Sequence, residues 1–423
     1  MSEATRDPAA DPQAAAATTP EEPEEPRGFW ARYARANSLV VTLLAFVAAM
    51  VLGGILIAIA DTRTQDASHY FFQYPWDTFR YGFAAIWHGY VALFQGAIFN
   101  PHTAAKGTWA GYVGPISETL TNATPLILGG LSVGLAFRAG LFNIGGQGQV
   151  IMGAVCAGFI GFHYHLPPGL HLLLGIIAGA LGGAAWGGLA GLLKAKTGAH
   201  EVITTIMLNY VAVSLLAYLL SVKGFQAPPY GQAISNPVYK SAQLPPLLGS
   251  SVRVHGGLIL AVLAAAFVSW LLNRSTLGFR LKAVGANQYA SRTAGMSVEG
   301  SYITVMLIAG ALCGLAGVSQ ILGTNSQLTG DIDAGIGFDA ITVALLGRAN
   351  AKGIVAAGLL FGALHAGGTQ MQSATGTPID LVQVIQSLIV LFIAAPMLIR
   401  AIFRLKGTAA GVGGGELAKG WNG

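Results

Sequence analysis

Ten apolar stretches, most of them close to 20 residues long, divide the chain into alternating hydrophobic and polar segments. An α-helix of about 20 residues crosses the hydrocarbon core of a bilayer, where only helices and closed barrels satisfy their backbone polar groups. The stretches cover residues 39–60, 116–137, 149–165, 169–193, 202–221, 256–273, 301–322, 338–347, 353–371 and 381–403. They predict an all-α polytopic membrane protein with about ten transmembrane helices. The stretch at 338–347 is too short for a complete crossing and predicts a re-entrant or broken helix.

The composition excludes a soluble globular enzyme. Hydrophobic residues make up 53% of the chain and charged residues only 10%, against roughly 25% charged residues in an ordinary soluble domain. The motif GxxxxGK followed by Ser or Thr, which cradles nucleotide phosphates, does not occur, so we expect no ATP hydrolysis by that route. Cys156 and Cys313 lie in apolar runs without metal-ligand spacing, and we expect neither a metal nor a cofactor. No span carries a catalytic arrangement that would support a membrane enzyme.

The distribution of lysine and arginine predicts the orientation in the membrane. If the N-terminus is inside and the spans alternate, 17 of the 23 basic residues face the cytoplasm and 6 face outside. Cytoplasmic loops carry such an excess of basic residues. We therefore expect a multi-pass protein of the cell membrane with both termini cytoplasmic. The basic excess accompanies apolar runs, which indicates a lipid bilayer rather than nucleic acid as the partner.

The two ends of the chain differ from its middle. Residues 1–38 are rich in Ala, Pro and Glu, and 7 of the 18 acidic residues lie within the first 27. Such a segment buries too little apolar surface to order itself, and we predict a disordered cytoplasmic tail. A permeation domain is expected at 39–406, followed by a Gly-rich cytoplasmic tail at 407–423. The run at 39–60 ends in a signal-like Ala-Ile-Ala, but its length exceeds the usual apolar region of about 7–15 residues, which favours an uncleaved anchor.

Segment 61–115 is unusually rich in aromatic residues, which favour the headgroup zone of a membrane. We predict an interfacial helix at about 77–98, with an eleventh span as the alternative.

A glycine stripe predicts one tight helix–helix contact. Glycines recur every four residues between 175 and 191, so on a helix they form one nearly straight row. Without side chains there, another helix backbone can approach closely. The row consists of Gly175, Gly179, Gly183, Gly187 and Gly191.

Uncharged polar residues within or between the spans are candidates for lining a solute path. They are Asn122, Thr124, Asn143, Gln147, Gln149 and Asn209. Three of them belong to the Gly-rich run at 143–149, which predicts either a hinge at a helix break or a simple interhelical turn. Hydrogen bonding between helices, worth about 0.6 kcal/mol each, is the alternative role for any one of the six. The ionisable residues fall near the predicted span ends, which disfavours a self-contained ion-coupled carrier.

The loop at 274–300 predicts a contact element on the cytoplasmic face. It carries four basic residues and one acidic residue. Asn287 is suited to cap a short helix at 288–294, and Gly295 to end it in the left-handed conformation. Such an element suits docking onto a cytoplasmic protein, with binding to anionic lipid headgroups as the alternative. Gly285 and Gly295 are expected to permit a sharp entry into the short helix and a sharp exit from it. The key residues of the element are Gly278, Arg280, Gly285, Asn287, Arg292 and Gly295.

Three stretches together resemble the permease subunits of ABC importers for branched-chain amino acids, sugars and nucleosides. The first is NATPLILGGLSVGLAFRAGLFNIGGQGQ at Asn122–Gln149, and it is most similar to the nucleoside-uptake branch. The second is EVITTIMLNY at Glu201–Tyr210. The third joins the loop at Gly278–Gly295 to GFDAITVALLG at Gly337–Gly347. The resemblance covers roughly residues 39–403.

The resemblance implies a permease that moves a small neutral solute, most similar to nucleoside permeases, inward by alternating access. It implies three kinds of protein partner: a cytoplasmic ATPase that docks on the loop at 274–300, a second permease subunit, and an extracytoplasmic solute-binding protein. Inverted repeats are also implied, which suits broken regions at 143–149 and 335–339 in two related halves. A sugar or branched-chain amino acid permease is the nearest alternative.

Overall fold

The computed structural model describes residues 38–403. The regular secondary structure of this part of the chain is helical, with isolated β-bridges but no β-strand. The tails predicted at 1–38 and 407–423 lie outside the described residues, except for Ser38. The helices are α1 (Ser38–Ala60), α2 (Thr62–Ser68), α3 (Pro75–Ala97), α4 (Pro101–Ala104), α5 (Trp109–Arg138), α6 (Gly146–His163), α7 (Leu170–Thr197), α8 (Glu201–Leu219), α9 (Gly257–Arg274), α10 (Thr276–Ala286), α11 (Gln288–Thr293), α12 (Val298–Ser319), α13 (Ile336–Leu346), α14 (Ala351–Thr375), α15 (Asp380–Ala394) and α16 (Pro396–Ile402). A π-helical segment, Gln320–Asn325, continues α12.

The structure confirms an all-α polytopic protein but not the count of ten spans. Within the described residues, seven helices are long and apolar enough to cross a membrane, or eight if the bent pair α15–α16 is one span. The predicted span at 149–165 is the 18-residue α6, whose first turn carries two glutamines that lower its mean hydropathy. The predicted short span is α13, with 11 residues. Each of these two helices begins directly after a non-helical interruption of the backbone.

Two central helices are surrounded by more peripheral ones. In α5 and in α12 with its π-helical extension, 83% and 78% of the most apolar window is buried within the protein. For α1, α7 and α8 the values are 28%, 28% and 22%, so these helices present most of their apolar surface outward. That surface suits contact with lipid tails, because they are as apolar as the side chains.

The glycine stripe forms the predicted close contact, between α7 and α12. All five glycines of the row are buried. A Cβ atom added to Gly183 would lie 2.3 Å from the carbonyl oxygen of Gly310, and one added to Gly179 would lie 3.0 Å from that of Gly153 in α6. The backbones are thus too close for any side chain at these positions.

A helix is present where the interfacial helix was expected. It is α3, which packs between α1 and α14 and exposes several aromatic side chains, among them Trp76, Phe79 and Trp87. Its mean hydropathy does not place it among the candidate spans. The headgroup location stays a prediction.

The connection between α8 and α9, residues 221–256, lies over the π-helical segment. The backbone nitrogen of Leu244 donates to the carbonyl oxygen of Leu322 at 2.7 Å, and that of Val238 donates to the carbonyl oxygen of Ser326 at 2.8 Å. The imidazole of His255 lies 3.3 Å from the hydroxyl of Thr324. These bonds tie the long connection to the break that follows α12.

Candidate functional site

The two breaks expected at 143–149 and 335–339 meet in the middle of the protein. The first turn of α6 lies against the first turn of α13, where a Cβ atom added to Gly337 would be 2.2 Å from the backbone nitrogen of Gln147. On the other side, a Cβ atom added to Gly146 would be 2.9 Å from the carbonyl oxygen of Gly337. Glycine is required here because two helix backbones approach within van der Waals contact.

Three of the predicted path residues hold the first break in shape. The side-chain amides of Asn143 and Gln149 form two mutual hydrogen bonds of 3.1 Å. Asn209, from α8, accepts a bond from the backbone nitrogen of Gly148 at 2.9 Å and donates to the carbonyl oxygen of Ile144 at 2.9 Å. All three side chains are buried. In this conformation their polar groups are satisfied by protein, which is what a buried irregular turn requires.

The other three predicted path residues are in different surroundings. Thr124 is buried, and its hydroxyl donates to the carbonyl oxygen of Leu120, one turn earlier in α5. Gln147 is half-buried, and its side chain lies beside that of Asp333, a buried residue just before α13. Asn122 is half-buried, and its amide donates to the carbonyl oxygen of Glu118 at 2.9 Å. Asn122 also lines the polar cavity between α5, α13 and α14, whose lining includes none of the other five.

A cavity of about 50 Å³ lies between α5, the π-helical segment, α13 and α14. Its walls combine amide, hydroxyl, carboxylate and imidazole groups with a few apolar side chains. They are formed by Thr121, Asn122, Pro125, Leu126, Gln320, Thr324, Ala334, Ile336, Asp339 and His365. Sites for small organic molecules usually enclose about 300–1,000 Å³. In this conformation the cavity is therefore several times smaller than a usual site for a small organic molecule.

One ionisable pair lines this cavity. The imidazole Nε2 of His365, in α14, is 3.1 Å from Oδ2 of Asp339, in the first turn of α13. Their side chains are 27% and 29% exposed. Gln320 and His365 stand out in the sequence as polar residues within spans, but nothing in the sequence pairs His365 with an aspartate 26 positions away.

The contact element at 274–300 consists of α10 and α11. Ser275 caps α10 by accepting from the backbone nitrogen of Gly278 at 2.9 Å. Asn287 caps α11, as predicted, by accepting from two backbone nitrogens at 3.0 Å each, and Gly295 follows with φ +78°. Arg280 and Arg292 are exposed.

Gly285 has a different role from the one its sequence suggests. It lies inside α10 rather than at a sharp turn, and a Cβ atom there would be 2.5 Å from the carbonyl oxygen of Arg138. The guanidinium group of Arg138 in turn donates to the carbonyl oxygens of Ala349 at 3.0 Å and Arg348 at 3.3 Å. Sequence reasoning missed Arg138, which links the contact element to the turn between α13 and α14.

Comparisons with known proteins show which family the chain resembles in sequence. The family model described as "Branched-chain amino acid transport system / permease component" matches residues 116–394. The guanosine ABC transporter permease protein NupP of Bacillus subtilis is 37% identical over 87% of this chain and 96% of its own length. The nucleoside ABC transporter permease protein NupB of Lactococcus lactis is 34% identical over 76% of this chain and 87% of its own.

A further relative bears a different substrate in its name. The glucose ABC transporter permease protein TsgB13 of Haloferax volcanii is 38% identical over 66% of this chain and 75% of its own length. No solved structure matches.

Proposed function

Because the chain belongs to the family of branched-chain amino acid transport system permease components, we propose that it is the membrane subunit of an ATP-driven importer and moves a nucleoside inward by alternating access. The observation that carries the proposal is the meeting of two helix breaks beside a polar cavity. Irregular backbone within a membrane protein is tolerated where it is buried by protein or lines a cavity, and transporters place solute sites at such breaks. Relatives that carry guanosine or nucleoside in their names support this substrate class.

The cavity gives the proposed cycle a definite closed state. Its volume of about 50 Å³ is too small for a nucleoside. Transport then requires α13 and the π-helical segment to move away from α5 on one side of the membrane at a time. Asn122 faces the solute in this scheme. The other five predicted path residues hold the helices and the first break in position. They are Thr124, Asn143, Gln147, Gln149 and Asn209.

The energy comes from a partner in this proposal, and this subunit makes or breaks no bond. The ATPase docks on α10 and α11, which expose Arg280 and Arg292 together with two large side chains, Phe279 at 64% and Tyr289 at 74% exposure. Exposed aromatic and arginine side chains are enriched at protein interfaces. Gly285 and Arg138 pass the motion from this element to the turn before α14.

The solute-binding protein docks on the opposite face, on the α8–α9 connection. Residues 221–256 contain Lys223, Lys240 and Arg253 but no Asp or Glu. Arg253 pairs with Glu118 of α5 at 3.1 Å, whereas the two lysines are exposed and favour an acidic partner. A second permease subunit completes the membrane unit. The multi-pass protein has both termini in the cytoplasm of the cell, as the distribution of basic residues favours, and its permease domain covers 39–406.

A glucose permease is the second candidate, because the Haloferax volcanii relative bears that substrate in its name. To decide, the gene is deleted in its host and restored on a plasmid, and uptake of labelled guanosine, glucose and leucine is measured. We expect guanosine uptake to depend on the gene and on cellular ATP. If glucose or leucine uptake alone is lost, the nucleoside assignment is wrong. If uptake does not depend on ATP but stops when the ion gradients across the membrane are abolished, the protein is a self-contained ion-coupled carrier.

A further inference from the structure

The Asp339–His365 pair is the feature of the cavity that a neutral solute does not by itself explain. A charged side chain within a membrane segment is costly, and such residues usually have a functional role. The two side chains meet at 3.1 Å yet keep 29% and 27% of their surface exposed. They line the cavity together with amide and hydroxyl groups. Their functional groups are therefore held in place at the cavity wall without being fully buried.

We propose that the carboxylate of Asp339, oriented by His365, binds two adjacent hydroxyl groups of the transported solute. The inference rests on the proposed function, since it requires the solute to pass through this cavity. A carboxylate only accepts hydrogen bonds, and its two oxygens offer about four acceptor sites. The contact with His365 uses one of them, on Oδ2. About three acceptor sites remain, which is enough for two neighbouring hydroxyl groups to donate one hydrogen bond each.

The position of Asp339 on its helix suits a carboxylate. It lies in the first turn of α13, where the partial positive charge of the helix N-terminus stabilises a carboxylate. His365 comes from another helix, α14, so the imidazole fixes the carboxylate across two elements that meet at the cavity. His365 is thus a positioning residue, and Asp339 makes the contact with the solute.

The other residues that line the cavity suit the rest of a nucleoside. Asn122 and Gln320 offer amide groups, which both donate and accept hydrogen bonds as the edge of a nucleobase does. Pro125, Leu126 and Ile336 supply apolar contact for a planar ring. The adjacent hydroxyl groups belong either to the ribose of a ribonucleoside or to the ring of a sugar such as glucose.

The test compares solutes with and without the two hydroxyl groups. Uptake of labelled guanosine and of 2′,3′-dideoxyguanosine is measured for the wild type, Asp339→Asn and the control Asp331→Asn. Asp331 is an exposed carboxylate that does not line the cavity. We expect Asp339→Asn to raise the KM for guanosine about ten- to a hundredfold, the factor for lost hydrogen bonds to a charged acceptor, and to change dideoxyguanosine uptake little. We expect the control Asp331→Asn to keep the wild-type preference for guanosine over dideoxyguanosine.

Two further variants test whether His365 orients the carboxylate of Asp339 or only holds α13 and α14 together. His365→Gln retains a donor for Asp339 and is expected to keep most of the preference for guanosine, whereas His365→Ala loses part of it at equal amounts of folded protein. Equal KM changes for both solutes in Asp339→Asn, or no change in either, overturn the proposal. If the wild type transports glucose instead of guanosine, the nucleoside function fails separately. The same variants are then compared on glucose and on its 2-, 3- and 4-deoxy derivatives. The proposal is overturned if Asp339→Asn changes the KM for glucose and for all three derivatives equally, or changes none of them.

Discussion

The contact between the starts of α6 and α13 makes Gly337→Ala the sharpest test of the architecture. An added Cβ atom at this position would lie 2.2 Å from the backbone nitrogen of Gln147 and 2.4 Å from its Cα atom. Real Cβ atoms essentially never approach closer than 3.0 Å, so one helix must move by at least 0.8 Å. Both nearest atoms are backbone atoms, and a rotamer change relieves neither contact.

The expected cost follows from this displacement. Overpacking a well-packed site costs about 1–3 kcal/mol, and the better helix propensity of alanine returns up to about 1 kcal/mol. We expect Gly337→Ala to be destabilised by about 1–2 kcal/mol. The displaced first turn also carries Asp339, two residues further on, so we expect uptake to fall by more than the loss of stability explains.

The assay compares Gly337→Ala with Gly330→Ala, a substitution in the loop before the same helix. A Cβ atom at Gly330 meets nothing within 4 Å, and its φ is not positive. Both variants are purified in detergent for thermal unfolding, and solute uptake is measured in cells at matched expression. If Gly337→Ala unfolds at the same temperature as Gly330→Ala and transports like the wild type, the two breaks do not meet as described.

Three further predictions address other parts of the molecule. Gly183→Ala should lower the unfolding temperature more than Gly188→Ala. The added Cβ atom at Gly183 would lie 2.3 Å from a backbone oxygen, whereas the one at Gly188 would meet only the end of a leucine side chain. Equal unfolding temperatures would contradict the close contact between α7 and α12. In the contact element, Arg292→Glu and Gly295→Val should insert normally but lose uptake and stimulation of the partner ATPase, since one reverses an exposed charge and the other strains a φ of +78°. In the α8–α9 connection, burial and a neighbouring arginine lower the pKa of His255 from 6.5 to about 4. The unfolded chain therefore binds this proton more readily, and stability is complete above pH 6.5 and falls as the pH drops from 6.5 to 4, by on the order of 3 kcal/mol in total. His255→Gln should flatten the change in unfolding temperature between pH 7 and pH 5, and an unchanged pH dependence would exclude His255 as its source.

Features that depend on local spacing could be predicted from the sequence. The length of an apolar stretch predicts a helix, because within a membrane few other structures satisfy the hydrogen-bonding groups of the backbone. The four-residue repeat at 175–191 predicts a close helix contact because residues four apart share a face. Asn287 and Gly295 mark the ends of α11 because capping involves only neighbours along the chain. The resemblance of the first break to nucleoside permeases likewise lies in a continuous stretch.

Contacts between distant parts of the chain were decided only by the tertiary structure. Asn143 and Asn209 look like path residues in the sequence, but the fold brings them to the same break, where protein groups satisfy them. Gly285 resembles a turn glycine until α10 is seen against the backbone of Arg138. The pairing of Asp339 with His365 depends on how α13 and α14 pack. Sequence periodicity shows which face of a helix is apolar or polar, but the partner of that face is set by the packing of all the helices together.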